Sequence, residues 1–259
     1  MCNYCGCSSE KALFTEPGTD SQHRHLHFDS NTLQLQQSLL AGNEAIAEQN
    51  RQWLSHQGIT CINLMGTPGA GKTQLLEITL KKLAGVLPAV AVLEGDQQTL
   101  NDAKRIQALG AKALQINTGT GCHLDAEMIK VGLAALVPTK GSLVFIENVG
   151  NLVCPALFDL GEQHRVAMMA VTDGDDKPEK YPHLFSSCEL VIINKADLLP
   201  YLDFDLTKVK QAISHLNPQA EILLLSAKTG EGLVEWQHWL TTSKPVIKTL
   251  PQHTHHPHG

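Results

Sequence analysis

The sequence predicts an α/β protein with a mainly parallel β-sheet flanked by helices, and three observations support this fold class. Apolar segments of strand length alternate with helix-forming segments from residue 59 onward, which is the pattern of consecutive strand–helix units. A glycine-rich turn joins the first of these strands to a helix, as phosphate-binding folds require. The chain has 259 residues, of which 42% are hydrophobic, enough for one domain with a substantial core.

The order of the elements divides the chain into four segments. Residues 1–30 are polar and lack periodicity, which predicts a flexible arm, and residues 31–58 predict a leading amphipathic helix that Gly58 ends. Residues 59–243 form the predicted phosphate-binding domain, and residues 244–259 form a flexible, histidine-containing tail. Strands are expected at residues 60–65, 89–93, 113–117, 142–146, 166–171, 190–193 and 221–225. Helices are expected at residues 31–57, 72–86, 100–108, 124–136, 206–215 and 232–240.

Composition makes several functions improbable on physical grounds. The chain has 20 basic and 26 acidic residues, a net charge of −6 and a pI near 6.1, so we expect neither nucleic acid nor an anionic membrane as a partner. No apolar stretch approaches the roughly 20 residues of a membrane span, and cysteines stand where a signal peptide would place its apolar core. These features predict a cytoplasmic protein.

A phosphate-binding loop follows the first predicted strand. Glycines let backbone N–H groups approach phosphate oxygens, and the following helix begins with its positive dipole end at the anion. Lys72 is expected to reach the β- and γ-phosphates, and the Thr73 hydroxyl to bind Mg²⁺. The motif, that of a P-loop nucleoside triphosphatase, reads Gly66-Thr67-Pro68-Gly69-Ala70-Gly71-Lys72-Thr73.

Two carboxylates follow predicted strands and are expected at the same edge of the sheet. Asp96 and Glu147 are each candidates to hold the water shell of Mg²⁺ or to orient the attacking water; the alternative for both is a solvated loop carboxylate. Gly150, three residues after Glu147, could offer its N–H to the γ-phosphate. This spacing is that of the Asp-x-x-Gly motif of GTPases, with Glu in place of Asp.

Two further segments predict guanine as the base. In Asn194-Lys195-Ala196-Asp197, a carboxylate such as that of Asp197 can accept both N1–H and the amino group of guanine, which adenine cannot supply. Asn194 is expected to tie this loop to the phosphate loop, and Lys195 to lie along the base. Ser226-Ala227-Lys228 matches the second base-binding loop of GTPases, with the Ala227 N–H facing the guanine oxygen.

Thiol and imidazole groups predict a metal site beside the nucleotide. Cys122 and His123 follow a predicted strand, and Cys154 lies four residues after Gly150. Such ligands suit Zn²⁺ or Ni²⁺, whereas each residue alone would read as a buried cysteine or a capping histidine. Because Cys154 is so close in sequence to Gly150, we expect nucleotide and metal to influence each other's binding.

A second group of cysteines opens the chain. Cys2, Cys5 and Cys7 together with the α-amino group left by removal of Met1 could form a planar site suited to Ni²⁺, or remain a reactive thiol cluster. The histidines of the arm and of the tail could buffer metal, be solvated, or, in the tail, be an artificial tag. Cys61 and Cys188 lie in or beside apolar strands and are expected to pack in the core.

Together these motifs resemble those of the hydrogenase nickel-incorporation GTPases, the HypB family of the SIMIBI class. The resemblance covers most of residues 31–243 and rests on residues 1–7, 94–98, 147–155 and 194–197. It implies slow GTP hydrolysis, homodimerisation linked to nucleotide or metal, and delivery of Ni²⁺ to a nickel–iron hydrogenase large-subunit precursor beside a HypA-type metallochaperone. It also implies two metal sites, one formed by Cys122, His123 and Cys154 and a tighter nickel site formed by Cys2, Cys5 and Cys7.

Two other functions are compatible with parts of the sequence. A P-loop ATPase or kinase with structural zinc would use the phosphate loop but has no use for residues 194–197. A nickel or zinc store would use the 13 histidines and 7 cysteines, and the nucleotide would play no chemical part in it.

Overall fold

Seven strands form one sheet in the computed structural model, which describes residues 30–96, 101–119 and 121–242. Every hydrogen-bonded strand pair of this sheet is parallel, which confirms the predicted fold class. The spatial order is β3-β2-β4-β1-β5-β6-β7. The strands are β1 (Thr60–Gly66), β2 (Val90–Asp96), β3 (Lys112–Asn117), β4 (Leu143–Glu147), β5 (His164–Ala170), β6 (Leu190–Asn194) and β7 (Glu221–Leu224).

Helices cover both faces of the sheet. Successive strand residues alternate between the faces, and the apolar ones pack against helices on each side. Short 3₁₀ turns follow β5 at Val171–Asp173 and β6 at Ala196–Tyr201. The helices are α1 (Ser30–His56), α2 (Lys72–Lys82), α3 (Asn101–Gln107), α4 (Ala126–Leu136), α5 (Cys154–Leu157), α6 (Lys177–Lys180), α7 (Pro182–Ser186), α8 (Leu206–Leu216) and α9 (Leu233–Thr242).

Three apolar clusters make up the core of the described residues. On one face, α2, α3 and α9 pack on the central strands. On the other face, α1 and α4 pack over β1, β2 and β4, whereas α5, α7 and α8 pack over β5, β6 and β7. The second face therefore carries two separate clusters, and the boundary between them runs near β1.

Helix ends show where the sequence-based bounds need correction. Helix α2 ends at Lys82 rather than at residue 86, because Gly85 adopts a positive φ of 82° in the turn that leads to Pro88. Helix α4 begins at Ala126 rather than at residue 124, because the Asp125 side chain accepts the Met128 N–H and caps the helix. Gly58, with φ of 64°, follows the leading helix as predicted.

Other expectations were incomplete or fall outside the described chain. Helices α5, α6 and α7 were not predicted, since four or five residues are too few to show helical periodicity. In the part of the chain that the structure describes, none of the helices combines the length and apolarity of a membrane span. The predicted arm at residues 1–30 and tail at residues 244–259 lie almost wholly outside the described residues, so those boundaries stay predictions.

Trp236 fastens α9 to the sheet. Its side chain is fully buried, its ring stacks on Trp239 at a centroid distance of 5.5 Å, and it lies near Phe145 of β4. The indole N–H donates to Thr79 Oγ1 over 2.9 Å, so the polar atom of this large ring is also satisfied. One side chain thus joins α9, α2 and the central sheet.

We expect Trp236→Ala to lower the free energy of unfolding by about 3–5 kcal/mol, because it leaves a large cavity and removes a buried hydrogen bond. Trp53→Ala is the control, since Trp53 is 39% exposed and its truncation should cost about 1 kcal/mol or less. Urea unfolding followed by circular dichroism measures both. If both variants lowered the free energy of unfolding by the same amount, the packing of α9 would not depend on Trp236.

Candidate functional site

The carboxyl ends of the strands meet at one edge of the sheet, and a cavity of about 690 Å³ opens there. The phosphate loop, the ends of β2 and β4, and the start of α3 line this cavity. Asp96, Glu147 and Gly150 all border it, although they come from distant parts of the chain. The structure therefore brings together the phosphate loop and both predicted carboxylates.

The phosphate loop depends on a glycine immediately before α2. Gly71 has a φ of 95°, and a Cβ at this position would lie 2.5 Å from Asn194 Nδ2, so both the conformation and the space exclude a side chain. Lys72 begins α2 and folds back over the loop, where its Nζ lies 3.3 Å from the Thr67 carbonyl oxygen. Burial lowers the pKa of Lys72, while nearby carboxylates act in the opposite direction.

Thr73 and Glu147 are in direct contact beside this lysine. The Thr73 hydroxyl donates to Glu147 Oε1 over 2.7 Å. Burial raises the pKa of Glu147 to about 7, although Lys72 and Thr73 act in the opposite direction. The buried Glu147 Oε2 has no hydrogen-bond partner among the described residues. The Thr73 hydroxyl and the unpaired Glu147 oxygen lie beside Lys72. Mg²⁺ prefers oxygen ligands of this kind.

A second buried carboxylate, Glu94, belongs to the site and was not predicted. It lies opposite Glu147 in the register of β2 and β4, and its Oε2 is also buried without a partner in the described chain. Burial, followed by the nearby carboxylates of Glu147, Asp102 and Asp96, raises the pKa of Glu94 to about 8. An acidic residue within an otherwise apolar strand was the sequence feature that could have indicated it.

Helix α3 adds a further carboxylate that sequence reasoning missed. Asp102 Oδ2 lies 3.4 Å from the Thr73 hydroxyl, and Asp102 Oδ1 accepts from Arg105 over 2.7 Å. Arg105 also donates to Glu77 of α2 over 2.8 Å. This chain of contacts joins α2 to α3 at the rim of the cavity.

Asp173 supports the phosphate loop from the neighbouring strand and was also missed. Its Oδ2 accepts the Thr67 hydroxyl over 2.5 Å and the Ala170 N–H over 2.9 Å. The residue closes the 3₁₀ turn after β5, so its position at the end of an apolar strand was the available sequence feature. The contact fixes the first turn of the phosphate loop against β5.

The predicted base loop is joined to the phosphate loop through Asn194. Its Nδ2 donates to the Ala70 carbonyl over 2.7 Å, which is the predicted tie, and its Oδ1 accepts the Ala227 N–H over 2.9 Å. The Ala227 N–H was expected to face guanine, whereas in this structure it donates its hydrogen bond to Asn194. Asp197 Oδ1 accepts the Ser226 hydroxyl over 2.6 Å, so both base-binding segments form one unit.

Two lysines belong to these base-binding segments, one partly buried and one exposed. Lys195 has a left-handed backbone with φ of 62°, and its Nζ donates to Thr172 Oγ1 over 3.3 Å. Lys228 is exposed.

The predicted metal ligands Cys122, His123 and Cys154 converge. Their ligand atoms all lie within 4.8 Å of one another, with 3.0 Å between the two Sγ atoms and 3.6 Å between Cys122 Sγ and His123 Nδ1. The imidazole stacks on Phe158 at 4.0 Å, and burial lowers the pKa of His123, which favours the neutral form that binds metal. We call these three residues the thiol–imidazole cluster.

The remaining cysteines separate into two groups. None of the four cysteines in the described residues forms a disulfide. Cys61 and Cys188 are buried in apolar clusters, and burial raises the pKa of Cys188 to about 12, so both thiols stay protonated, as expected for core residues. The candidate ligands Cys2, Cys5 and Cys7, and the terminal histidines, lie outside the described residues.

Comparison with known proteins relates this chain to one family. The domain described as CobW/HypB/UreG, nucleotide-binding domain, matches residues 60–224. Hydrogenase maturation factor HypB of Escherichia coli strain K12 is 50% identical over 212 residues, which cover 82% of this chain and 73% of that protein.

Two solved structures are similar over most of their length. The HypB crystal structure from Archaeoglobus fulgidus has a TM-score of 0.73 and 41% identity, covering 78% of this chain and 98% of that chain. HypB from Helicobacter pylori in complex with nickel has a TM-score of 0.74 and 37% identity, covering 77% and 94% respectively. The chain therefore belongs to the HypB family of hydrogenase maturation factors.

Proposed function

We propose that this chain is a GTP-hydrolysing nickel carrier whose nucleotide site and metal cluster control each other's affinity. Its cargo is Ni²⁺, which it helps to insert into the large-subunit precursor of a nickel–iron hydrogenase. The observation that carries this proposal is a single loop, residues 148–153, that contacts both the phosphate loop and the thiol–imidazole cluster.

Asn151 makes both of these contacts. Its backbone pairs with Gly66 at the start of the phosphate loop, and its Nδ2 lies 3.4 Å from the carbonyl oxygen of Cys122. Gly150 packs so closely that a Cβ would lie 3.0 Å from Pro68 Cα. A change in the position of the phosphate loop must therefore move the loop that ends at Cys154.

The nucleotide site supports GTP as the ligand. Asp197 stands at the base loop, where a carboxylate can accept two hydrogen bonds from guanine. Thr73, with Glu147 and Asp96 acting through water, would hold Mg²⁺, which neutralises charge on the phosphates. Lys72 and the backbone N–H groups of the phosphate loop would hold the phosphates in place. The attacking water would then need only to be oriented toward the γ-phosphate.

The thiol–imidazole cluster supports nickel as cargo, since two thiolates and one imidazole suit Ni²⁺ as well as Zn²⁺. A relative from Helicobacter pylori has been solved with nickel. We propose Cys2, Cys5 and Cys7 as a second nickel site that loads the first. The thiols must be reduced to bind metal, which agrees with a cytoplasmic location. The partners are a second copy of the chain, a HypA-type metallochaperone and the hydrogenase precursor.

Replacing Asp197 tests the nucleotide. Asp197→Asn keeps the shape and the oxygen that faces Ser226 but presents an amide to guanine, so we expect GTP affinity to fall by about 100-fold and ATP affinity to change little. Asp203→Asn, at an exposed position of the same region, is the matched control. Fluorescent-nucleotide titration measures both variants. A GTP preference that survives Asp197→Asn would contradict this role.

The raised pKa of Glu94 predicts how the stability of the nucleotide-free protein depends on pH. Glu94 has a raised pKa of about 8 against an ordinary value of 4.5, so its proton is bound more tightly in the folded state. The stabilisation is complete below the ordinary pKa and is lost as the pH rises through about 8, by an amount on the order of 2 kcal/mol or more.

We expect Glu94→Gln to remove most of this loss, because the neutral amide needs no proton. Thermal unfolding at about pH 5 and about pH 8.5 compares the wild type with the variant. Glu221→Gln, at an exposed strand residue, controls for the general effect of removing a charge. An unchanged pH dependence in Glu94→Gln would assign the effect to other groups.

The central test measures nickel affinity and dimer mass with GDP, with a non-hydrolysable GTP analogue and without nucleotide. We expect the analogue to change nickel affinity by about 5- to 100-fold relative to GDP, and nickel to change analogue affinity by the same factor. If neither nickel affinity nor dimer mass responds to nucleotide, the proposed function is wrong.

Two cysteine variants assign that binding to the cluster. Cys154→Ser should abolish nickel binding by the described domain, whereas Cys188→Ser makes the same change at a buried thiol of the core and should preserve it. Because the cysteines at the start of the chain also bind metal in this proposal, both variants are measured with Cys2, Cys5 and Cys7 replaced by serine.

A further inference from the structure

Four polar residues contact one another on the side of the sheet that α1, α4, α5, α7 and α8 cover, two of them on strands and two in the adjoining loops. Asn63 of β1 is 0% exposed, Asn148 is 1% exposed and Glu162 is 5% exposed. Arg165 of β5 lies opposite Asn63 in the parallel register. We call these four residues the polar row. They stand between the two apolar clusters of that face.

Two hydrogen bonds and one ion pair connect the polar row. Asn148 Nδ2 donates to Asn63 Oδ1 over 3.2 Å, and Asn63 Nδ2 donates to Glu162 Oε1 over 3.1 Å. Arg165 Nε lies 3.2 Å from the same Glu162 oxygen, and Glu162 Oε2 accepts the Leu160 N–H over 2.7 Å. Each side chain therefore fixes the orientation of the next.

The two ends of the row lie at the two sites. Asn148 borders the nucleotide cavity, and its Oδ1 accepts the Val149 N–H over 2.9 Å, so it shapes the loop that contains Gly150. At the other end, Arg165 Nη2 donates to the carbonyl oxygens of Pro155 and Ala156, each over 3.1 Å. Both carbonyls belong to α5, whose first residue is Cys154.

Stability alone does not explain why this row is polar. Burial raises the pKa of Glu162, although Arg165 acts in the opposite direction, so the folded protein meets a desolvation cost there. Well-packed apolar side chains at buried ion pairs are often as stabilising or more so. Here they would also merge the two apolar clusters into one. Directional hydrogen bonds hold a defined geometry, which apolar contacts between the same positions would not.

We propose that Arg165 is a positioning residue for Cys154, and that the polar row links its guanidinium to the nucleotide loop through Glu162, Asn63 and Asn148. This inference rests on the coupling between nucleotide and metal that we propose for the chain. Arg165 holds the carbonyl groups of α5 in place while residues 148–153 follow the phosphate loop. A displacement of that loop is then taken up at Cys154, where it changes the spacing of the thiol–imidazole cluster.

Two variants of the full chain interrupt the row at different places. Asn63→Leu removes both hydrogen bonds of the central link with a side chain of similar size. Arg165→Lys keeps the charge beside Glu162 but replaces the planar fork with a single point donor, which cannot hold the two carbonyl groups in the same way. Neither residue borders the nucleotide cavity or belongs to the thiol–imidazole cluster.

Arg51→Lys is the matched control. Arg51 is 19% exposed and bonds to Asp159 of the same loop region, and Arg165 is 21% exposed, so both arginines are equally buried partners of a carboxylate. Arg51 makes no contact with α5 in the hydrogen bonds of the described residues. The control therefore reports the cost of replacing such an arginine away from the row.

Nickel titration with GDP and with a non-hydrolysable GTP analogue measures the coupling. Hydrogen exchange of the backbone amides of Cys154, Ala156 and Leu157 measures the response of α5. Cys2, Cys5 and Cys7 are replaced by serine throughout, so that one nickel site is observed.

We expect the ratio of nickel affinities in the two nucleotide states to fall from at least about fivefold to under about twofold in Asn63→Leu and Arg165→Lys. Affinity for GDP should stay within about threefold of the wild type, and Arg51→Lys should keep both the ratio and the exchange response.

The outcomes separate this inference from the function on which it rests. If wild-type nickel affinity does not respond to nucleotide, the proposed function fails and this inference fails with it. If the wild type responds and Arg165→Lys responds equally, with nucleotide-dependent exchange at residues 154–157 retained, the polar row is merely structural. Should Asn63→Leu fail to fold, Arg165→Lys with its control still decides between these outcomes.

Discussion

The parallel arrangement of all seven strands is the constraint on which the site depends. Parallel strands place their carboxyl ends at one edge, so loops that follow β1, β2, β4, β6 and β7 meet there although more than a hundred residues separate them. Because the central strands are buried on both faces, their backbone groups are fully used within the sheet and the loops leave from fixed points. Asn194 then joins the phosphate loop to the base loop with two buried hydrogen bonds.

The electrostatics of the cavity favour a nucleotide and its metal ion together. Five carboxylates surround the phosphate site, whereas Lys72 and Arg105 are the cations that border the cavity in the described chain. The carboxylates would repel a triphosphate that bound alone. The buried Lys72 would repel a divalent cation that bound alone. In the complex that we propose, the cation would face Thr73 and Glu147 and the phosphates would face Lys72, so each charge would lie beside an opposite charge. The raised pKa values of Glu94 and Glu147 describe the same site before that complex binds.

Residues that act within one short segment could be predicted from the sequence, whereas contacts that strand register creates could not. The glycines of the phosphate loop, the base loop and the cysteine ligands follow from spacing along the chain, and apolar runs predicted the seven strands. Glu94 and the polar row matter because β2 lies beside β4 and β5 beside β1, which no local pattern shows. Likewise, the hydrogen bond from the Ala227 N–H to Asn194 joins two loops that are distant in sequence.

The carrier function that we propose requires release of the metal, and the ligand set of the thiol–imidazole cluster fits that requirement. Structural zinc sites complete a tetrahedron with four protein ligands, whereas the described residues supply three at this cluster, so a bound metal would have a fourth position for another donor. A ligand from an acceptor can enter there before any protein ligand leaves, which lowers the barrier to transfer. Free energy from GTP can act on such a site only through a structure that differs between nucleotide states. Cys154 follows the loop that contacts the phosphate-binding loop, so in the function that we propose it is the ligand through which that difference would reach the metal.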